Sequence, residues 1–226
     1  MRQTGFSETI EDYLKIIYQL TAEAERASNG EIAAELNISP ASVTDMLQRL
    51  AGEQTPLVDY RKHRGAALTA QGRRIALEVI RHHRLLELFL HEYLGYTWDQ
   101  VHEEADRLEH VISEVFEDRL AEVLGHPQRG LHGKPIPTRS LEMPDEDTHY
   151  LHDVPPGKRG TIHSVQDDDP GFLRYLAEKG LVPEAEFLVL EFSPYDHTLH
   201  LQIQGREEKS VLGASATAQI LVRISP

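Results

Sequence analysis

Cysteine is absent from all 226 residues, which excludes disulfides, thiolate catalysis and sulfur-ligated zinc, so any bound metal has to be held by nitrogen and oxygen. No apolar run approaches the roughly 18 residues of a membrane span, and Met1-Arg2-Gln3-Thr4-Gly5 leads into an amphipathic segment without a signal-peptide core. The expected location is the cytoplasm, with no membrane partner. Aromatic residues make up 7% of the chain and tryptophan occurs once, at Trp98, a candidate core or dimer-contact residue. Hydrophobic residues still reach 40%, enough for two or three small cores. Neither internal repeats nor low-complexity segments occur.

Positive charge is scarce overall, with a formal net charge of −14, but it is unevenly placed. Residues 39–84 are net +4 and residues 85–126 net −9. Local fields matter more than the sum, so a basic block beside an acidic, His-rich block implies binding of both an anion and a cation.

The acidic block holds His102-Glu103-Glu104-Ala105-Asp106-Arg107-Leu108-Glu109-His110. At about 100° per residue, His102, Asp106, Glu109 and His110 share one stripe roughly 100° wide on a single expected helix from about Trp98 to Ile112. His83 and Glu87 stand at i, i+4 on the preceding helical segment, a spacing at which two side chains converge on one ion. Their ordinary alternative is a solvated face with surface ion pairs.

Leading into the basic block, Ser7 caps an amphipathic first helix, and residues 31–36 and about 41–51 form two short helices joined by Asn37-Ile38-Ser39-Pro40. Ser39 as cap and Pro40 at the first helical position are start signals, and the arrangement is a helix-turn-helix. Leu57-Val58-Asp59-Tyr60, the tip Arg61-Lys62-His63-Arg64-Gly65 and Ala66-Ala67-Leu68-Thr69 read as a hairpin, hence a wing. The second short helix would enter a major groove, with Ser39, Ser42, Thr44, Asp45, Gln48 and Arg49 as polar residues and Pro40 and Ala41 as apolar contacts, while Arg61, Lys62 and Arg64 meet phosphate. Thr9 joins this DNA-facing set.

A long helix follows from Ala70 to about Leu94, then helices over 98–112 and 113–124. His126 to Gly157 holds six of the twelve prolines and reads as a linker rather than core. Runs at 160–165, 187–192, 198–203 and 219–224 have strand character, with one helix at Pro170–Lys179. The expected fold is mainly α with a C-terminal SH3-like β-barrel: a winged helix-turn-helix domain (1–72), a helical metal-binding and dimerisation domain (73–126), a Pro-rich linker (127–157) and the barrel (158–226).

These motifs together resemble the metal-dependent bacterial repressors that include the diphtheria toxin repressor and the manganese transport regulator. The runs that carry the resemblance are residues 9–18, 39–44, 82–87, 102–110 and Gly133-Lys134-Pro135-Ile136-Pro137. It implies a homodimer on double-stranded operator DNA, a ferrous-transport-accessory-like barrel, no enzymatic activity and two metal sites per chain. The implied primary site is Asp12, Asp106, Glu109 and His110; the implied ancillary site is His83, Glu87 and His102 with Asp168, while Gly171 stands where some relatives supply a glutamine. The iron-sensing branch has methionine and cysteine where this chain has Asp12 and Asp106, and hard oxygen ligands suit Mn²⁺, so the expected signal is Mn(II), with Fe(II) as the alternative and an organic-ligand sensor as a further one. Lys15 stands where some manganese sensors have a second carboxylate, which favours two separated sites over a coupled pair. Gln54-Thr55 is an apparent insertion before the wing, and Asp45 replaces a glutamine, so operator sequence does not carry over.

Enzyme patterns are missing: the helical segments hold no Glu-x-x-His pair for a di-metal bundle, and His102-Glu103 has aspartate, not histidine, at position 106. His63, His126, His132, His149, His152, His163, His197 and His200 fit neither implied site and are assigned to the surface or linker.

Overall fold

The computed structural model describes residues 5–22, 24–166 and 169–225. Two compact units divide the chain: the first comprises residues up to His83 with Arg107–Leu120 and Pro137–Met143, and the second comprises Arg84–Asp106, Ala121–Ile136 and Pro144 onward.

In the first unit, α1 (Glu8–Leu20), α2 (Asn29–Glu35) and α3 (Pro40–Gly52) precede the two-stranded wing β1 (Val58–Arg61) and β2 (Gly65–Leu68). Tyr13, Leu14 and Ile17 of α1, Ile32 of α2, Val43, Leu47 and Leu50 of α3, and Leu57, Val58 and Ala66 of the wing form one buried core. Side-chain caps start α2 and α3, whereas Ser7 occupies the N-cap position of α1 without a side-chain hydrogen bond. Ser28 and Glu31 form a reciprocal capping box for α2, and the Ser39 hydroxyl accepts from Ser42 N–H with Pro40 at the first position of α3. The wing is tied back to the segment before α2, because Ala27 and Ala66 exchange two backbone hydrogen bonds of 2.9 Å. Gly65 is required there: its φ is +85°, and a Cβ would lie 2.1 Å from the Ala27 carbonyl oxygen.

The helix α4 (Ala70–Leu94) is capped by Thr69, whose Oγ1 accepts from Gly72 N–H at 3.1 Å. It is followed by α5 (Val101–Leu108) and α6 (Glu114–Val123). The expected helix over 98–112 is therefore shorter than anticipated: α5 stops at Leu108, and Glu109 and His110 occupy the turn before α6. Glu117 N–H bonds the Ser113 carbonyl and Phe116 N–H the Ser113 hydroxyl, so Ser113 begins a new helix and the 102–110 stripe is split.

The second unit carries a six-stranded antiparallel sheet of β3 (His149–Tyr150), β4 (Arg159–Val165), β5 (Glu186–Ser193), β6 (Thr198–Ile203), β7 (Lys209–Leu212) and β8 (Ile220–Ile224), in the order β3-β8-β4-β5-β6-β7. The expected barrel is not closed. Its terminal strands β3 and β7 do not pair with each other; β3 has only two residues, and the short helix α8 (Ala214–Thr217) packs against both β6 and the 3₁₀ turn Leu151–Asp153. Bulges between Ile162 and Ser164 and between Val189 and Glu191 bend the sheet. The helix α7 (Pro170–Lys179) runs from the Asp169 cap to a left-handed Gly180. The Pro-rich segment departs from the linker expectation, since Leu151 and Val154 are buried in the sheet core.

One buried polar knot braces the first unit. Glu117 of α6 is 1% exposed; its Oε1 accepts from Arg81 Nε–H at 2.6 Å and its Oε2 faces His82 Nε2 at 3.0 Å. Burial pushes the Glu117 carboxyl up, but hydrogen bonds from His82 and Arg81 and their charges outweigh it and hold it at about 2. The folded value lies below that of a free glutamate, so this stabilisation is complete above about pH 4.5 and is lost as pH falls through about 2. Glu117→Ala is expected to cost about 3–5 kcal/mol, because Arg81 and His82 stay buried without their partner. Glu117→Gln should flatten the acid limb of the stability curve; denaturant titrations between pH 2 and 7 read both.

Candidate metal centre

In the first unit, α1 supplies Asp12 and the turn after α5 supplies Glu109 and His110. Each contributes one donor atom, all within 4.8 Å of one another. His110 Nε2 lies 3.0 Å from Asp12 Oδ1 and 3.4 Å from Glu109 Oε1. On its other side, His110 Nδ1–H donates to Glu11 Oε2 at 2.7 Å. Glu11 is buried and was not singled out by sequence reasoning, although it precedes Asp12 directly. By holding the Nδ1 proton, it turns Nε2 toward the carboxylates, as a carboxylate behind a metal-bound imidazole does.

The set attracts positive charge. Burial pushes the His110 imidazole down, yet hydrogen bonds to Asp12 and Glu11 and the charge of Glu109 raise it to about 10. A cluster that holds a proton this firmly can hold a divalent cation in its place, with the proton released. Its donors are oxygen and imidazole nitrogen, the set expected of a Mn²⁺ or Fe²⁺ centre.

Glu109 has further partners. Lys15 Nζ donates to both of its carboxylate oxygens at 2.8 Å, His83 Nδ1 lies 2.5 Å from Oε2, and His82 Nδ1–H bonds its backbone carbonyl at 3.0 Å. Both ring nitrogens of His82 thus face acceptors. Burial alone would lower this imidazole, but the Glu117 and Glu109 hydrogen bonds raise it.

The second unit gathers Glu87, His102, Asp106 and His132. His102 Nδ1 lies 3.4 Å from Glu87 Oε1 and its Nε2 3.4 Å from Asp106 Oδ2, while His132 Nε2 lies 3.6 Å from Glu87 Oε1. His132 is 2% exposed and its Nε2 has no hydrogen-bond partner among the described residues, a costly state for a buried polar atom. Trp98 Nε1–H donates to His132 Nδ1 and the two rings stack with centroids 5.4 Å apart. Sequence reasoning left His132 out of both sets. The available signal was its place directly before Gly133-Lys134-Pro135-Ile136-Pro137, one of the runs that carry the resemblance.

Of the primary site that the resemblance implies, Asp12, Glu109 and His110 lie together; of the implied ancillary site, Glu87 lies beside His102, which also meets Asp106, while His83 meets Glu109. Asp168 lies outside the described residues, and Gly171 is in the first turn of α7. Of the DNA-facing set, Thr9, Ser39, Pro40, Ala41, Ser42, Asp45, Gln48 and Arg49 are exposed, as are Arg61, Lys62 and Arg64 on the wing. Thr44 is half-buried: its hydroxyl accepts from Asn29 Nδ2 at 2.8 Å and donates to the Pro40 carbonyl at 2.9 Å.

Known proteins agree with this layout. A family model described as the iron dependent repressor N-terminal DNA binding domain matches residues 5–66, the iron dependent repressor metal binding and dimerisation domain matches 69–138, and the FeoA domain matches 149–224. The iron-dependent repressor IdeR of Mycobacterium leprae is 35% identical over 214 residues, covering 88% of this chain and 90% of that protein. The IdeR of Mycobacterium tuberculosis is 39% identical over 196 residues, covering 80% and 84%. Among solved structures, a manganese-dependent transcriptional repressor in complex with manganese superposes with a TM-score of 0.87 at 34% identity, covering 94% of this chain and 98% of that one. The manganese regulator SloR superposes with a TM-score of 0.79 at 33% identity, covering 96% and 98%. No helix among the described residues is long and apolar enough to cross a membrane. The chain belongs to the iron-dependent repressor family, whose members are metal-dependent, DNA-binding transcriptional repressors and not enzymes.

Proposed function

We propose that this chain is a Mn²⁺-activated repressor that binds operator DNA as a homodimer and controls metal-uptake genes. One observation carries the reading: the Asp12, Glu109 and His110 cluster, backed by Glu11, offers carboxylate and imidazole donors and no sulfur. A second centre is built on Glu87, His102, Asp106 and His132, with His83 and Asp168 as the further ligands that the resemblance implies. Fe²⁺ is the competing signal, favoured by the iron-dependent repressors among the relatives. The working division is a DNA-binding domain over 1–72, a metal and dimerisation domain over 73–126, and a sheet domain beyond 157 to which the end of the Pro-rich stretch 127–157 also contributes β3. Val111, Val115 and Phe116, all exposed and apolar, support a buried dimer face near α6.

The metal supplies a compact double positive charge. Asp12 on α1 and Glu109 in the turn after α5 both gain from approaching it, so the DNA-binding helices are fixed to the dimerisation helices. A symmetric dimer then presents two α3 helices at about 34–36 Å or a multiple of it, the repeat of the major groove on one DNA face. A 100-fold change in operator affinity corresponds to about 2.7 kcal/mol of coupling, and by reciprocity DNA tightens metal binding by the same factor.

An anisotropy titration of an operator fragment with Mn²⁺, anaerobic Fe²⁺, Zn²⁺ or chelator tests the function. Chelator-sensitive binding supported by Mn²⁺ at lower concentration than Fe²⁺ is expected; equal binding under all conditions would refute a metal signal. Asp12→Ala should remain a folded dimer yet lose operator affinity about 100-fold at modest Mn²⁺, and undiminished binding would remove it from the ligands. Arg64→Ala should weaken DNA binding regardless of sequence and lower the slope of log K against log salt by about 1.

A ligand role for His132 has its own readout. With Trp98 N–H donating to Nδ1, neutral His132 carries its proton on Nε2; a metal held at Nε2 would require that proton on Nδ1 instead, where it would face the indole N–H and break that bond. Saturation with Zn²⁺ should therefore change the emission of the single tryptophan, and His132→Ala should abolish the change. Emission indifferent to Zn²⁺ would leave His132 a packing residue.

A further inference from the structure

We infer that Lys15 is an internal cation that competes with the metal for Glu109 and thereby sets the metal concentration at which this repressor responds. The inference rests on the reading of Asp12, Glu109 and His110 as a metal centre. Lys15 follows Asp12 by three residues on α1, so both side chains issue from one face of the helix. Its ammonium lies 2.8 Å from each Glu109 oxygen and 3.3 Å from His83 Nδ1. The Glu109 side chain is fully buried and that of Lys15 is 11% exposed.

A buried carboxylate needs a cation or several donors, and Lys15 meets that need in the metal-free chain by engaging both oxygens at once. Glu109 is also the residue common to the Lys15 pair and the candidate metal set, through Oε1 beside His110 Nε2 at 3.4 Å. A divalent ion that takes Glu109 together with Asp12 and His110 has to draw on an oxygen already held by the ammonium. The ion then lies near a second, buried positive charge with which it repels. Both effects oppose binding. They also restrict the centre to one divalent ion, since the space between Glu109 and His83 already holds a charge. The charge of Lys15 thus weakens metal binding while it stabilises the metal-free fold. A purely structural ion pair would do only the second.

The test is direct Mn²⁺ binding without DNA, by calorimetry, on the full chain and on Lys15→Met, Lys15→Arg and Asp12→Ala, with melting temperature recorded for each metal-free protein. The binding phase lost in Asp12→Ala identifies this centre. Lys15→Met is expected to tighten that phase at least tenfold while lowering the metal-free melting temperature; Lys15→Arg, which keeps the charge, should stay within threefold of the unaltered chain. A Kd in Lys15→Met that is unchanged or weaker overturns the inference and leaves the metal centre standing. Absence of any Mn²⁺ phase that depends on Asp12 overturns both. Should Lys15→Met not fold, the unaltered chain decides the matter by NMR of its six lysine side-chain Cε signals during titration with diamagnetic Zn²⁺. One of them is expected to move in step with filling of this centre, and six unmoved signals overturn the inference.

Discussion

Buried negative charge governs the first structural unit. Glu11, Glu109 and Glu117 are each 4% exposed or less, and in the absence of positive partners each would be strongly destabilising. Glu117 is met by Arg81 and His82, Glu109 by Lys15 and His83, and Glu11 by His110. Three consecutive residues of α4, Arg81, His82 and His83, thus address two carboxylates on different elements, while His82 also holds the Glu109 backbone. The acidic surplus read from the sequence is in part an internal demand for cations, and a metal ion is one further way of meeting it.

That arrangement bears on allosteric coupling. A metal can shift a conformational equilibrium only by its differential affinity for the two states. Here the metal-free state is already braced by ammonium and imidazole contacts, so the site does not wait as a set of mutually repelling acids. In the proposed mechanism the signal is an exchange of cations at Glu109, in which a flexible monovalent group would yield to an ion that Asp12 and His110 would also hold.

Elements with strong local signals were legible in the sequence. The helices Ala70–Leu94 and Pro170–Lys179 have the expected bounds, the former capped by Thr69 and ended near Gly95, the latter set by Pro170 and Gly180. Candidate ligands were legible as residue types at helical spacing, and Asp12, Glu109 and His110 lie together as the resemblance implies; the single helical stripe was not, because it breaks at Leu108, where Ser113 competes to start α6. The strands β3 and β7 and the helix α8 were missed: each has four residues or fewer, too short for periodicity to register. The roles of His132 and Lys15 depend on contacts over more than 40 residues of sequence, with Glu87 and Glu109 respectively. Neither spacing nor composition encodes those.

The wing shows how such a scaffold tolerates variation. Gln54 and Thr55 lie exposed between α3 and the wing, yet Leu57 N–H returns to the Leu50 carbonyl at 3.0 Å and Ala66 pairs with Ala27 across Gly65. The wing's orientation is fixed at its root rather than by the length of the loop that leads into it. A change in the length of 53–56 therefore leaves the reach of the basic tip set by its root, whereas a side chain at 65 would collide with the Ala27 carbonyl.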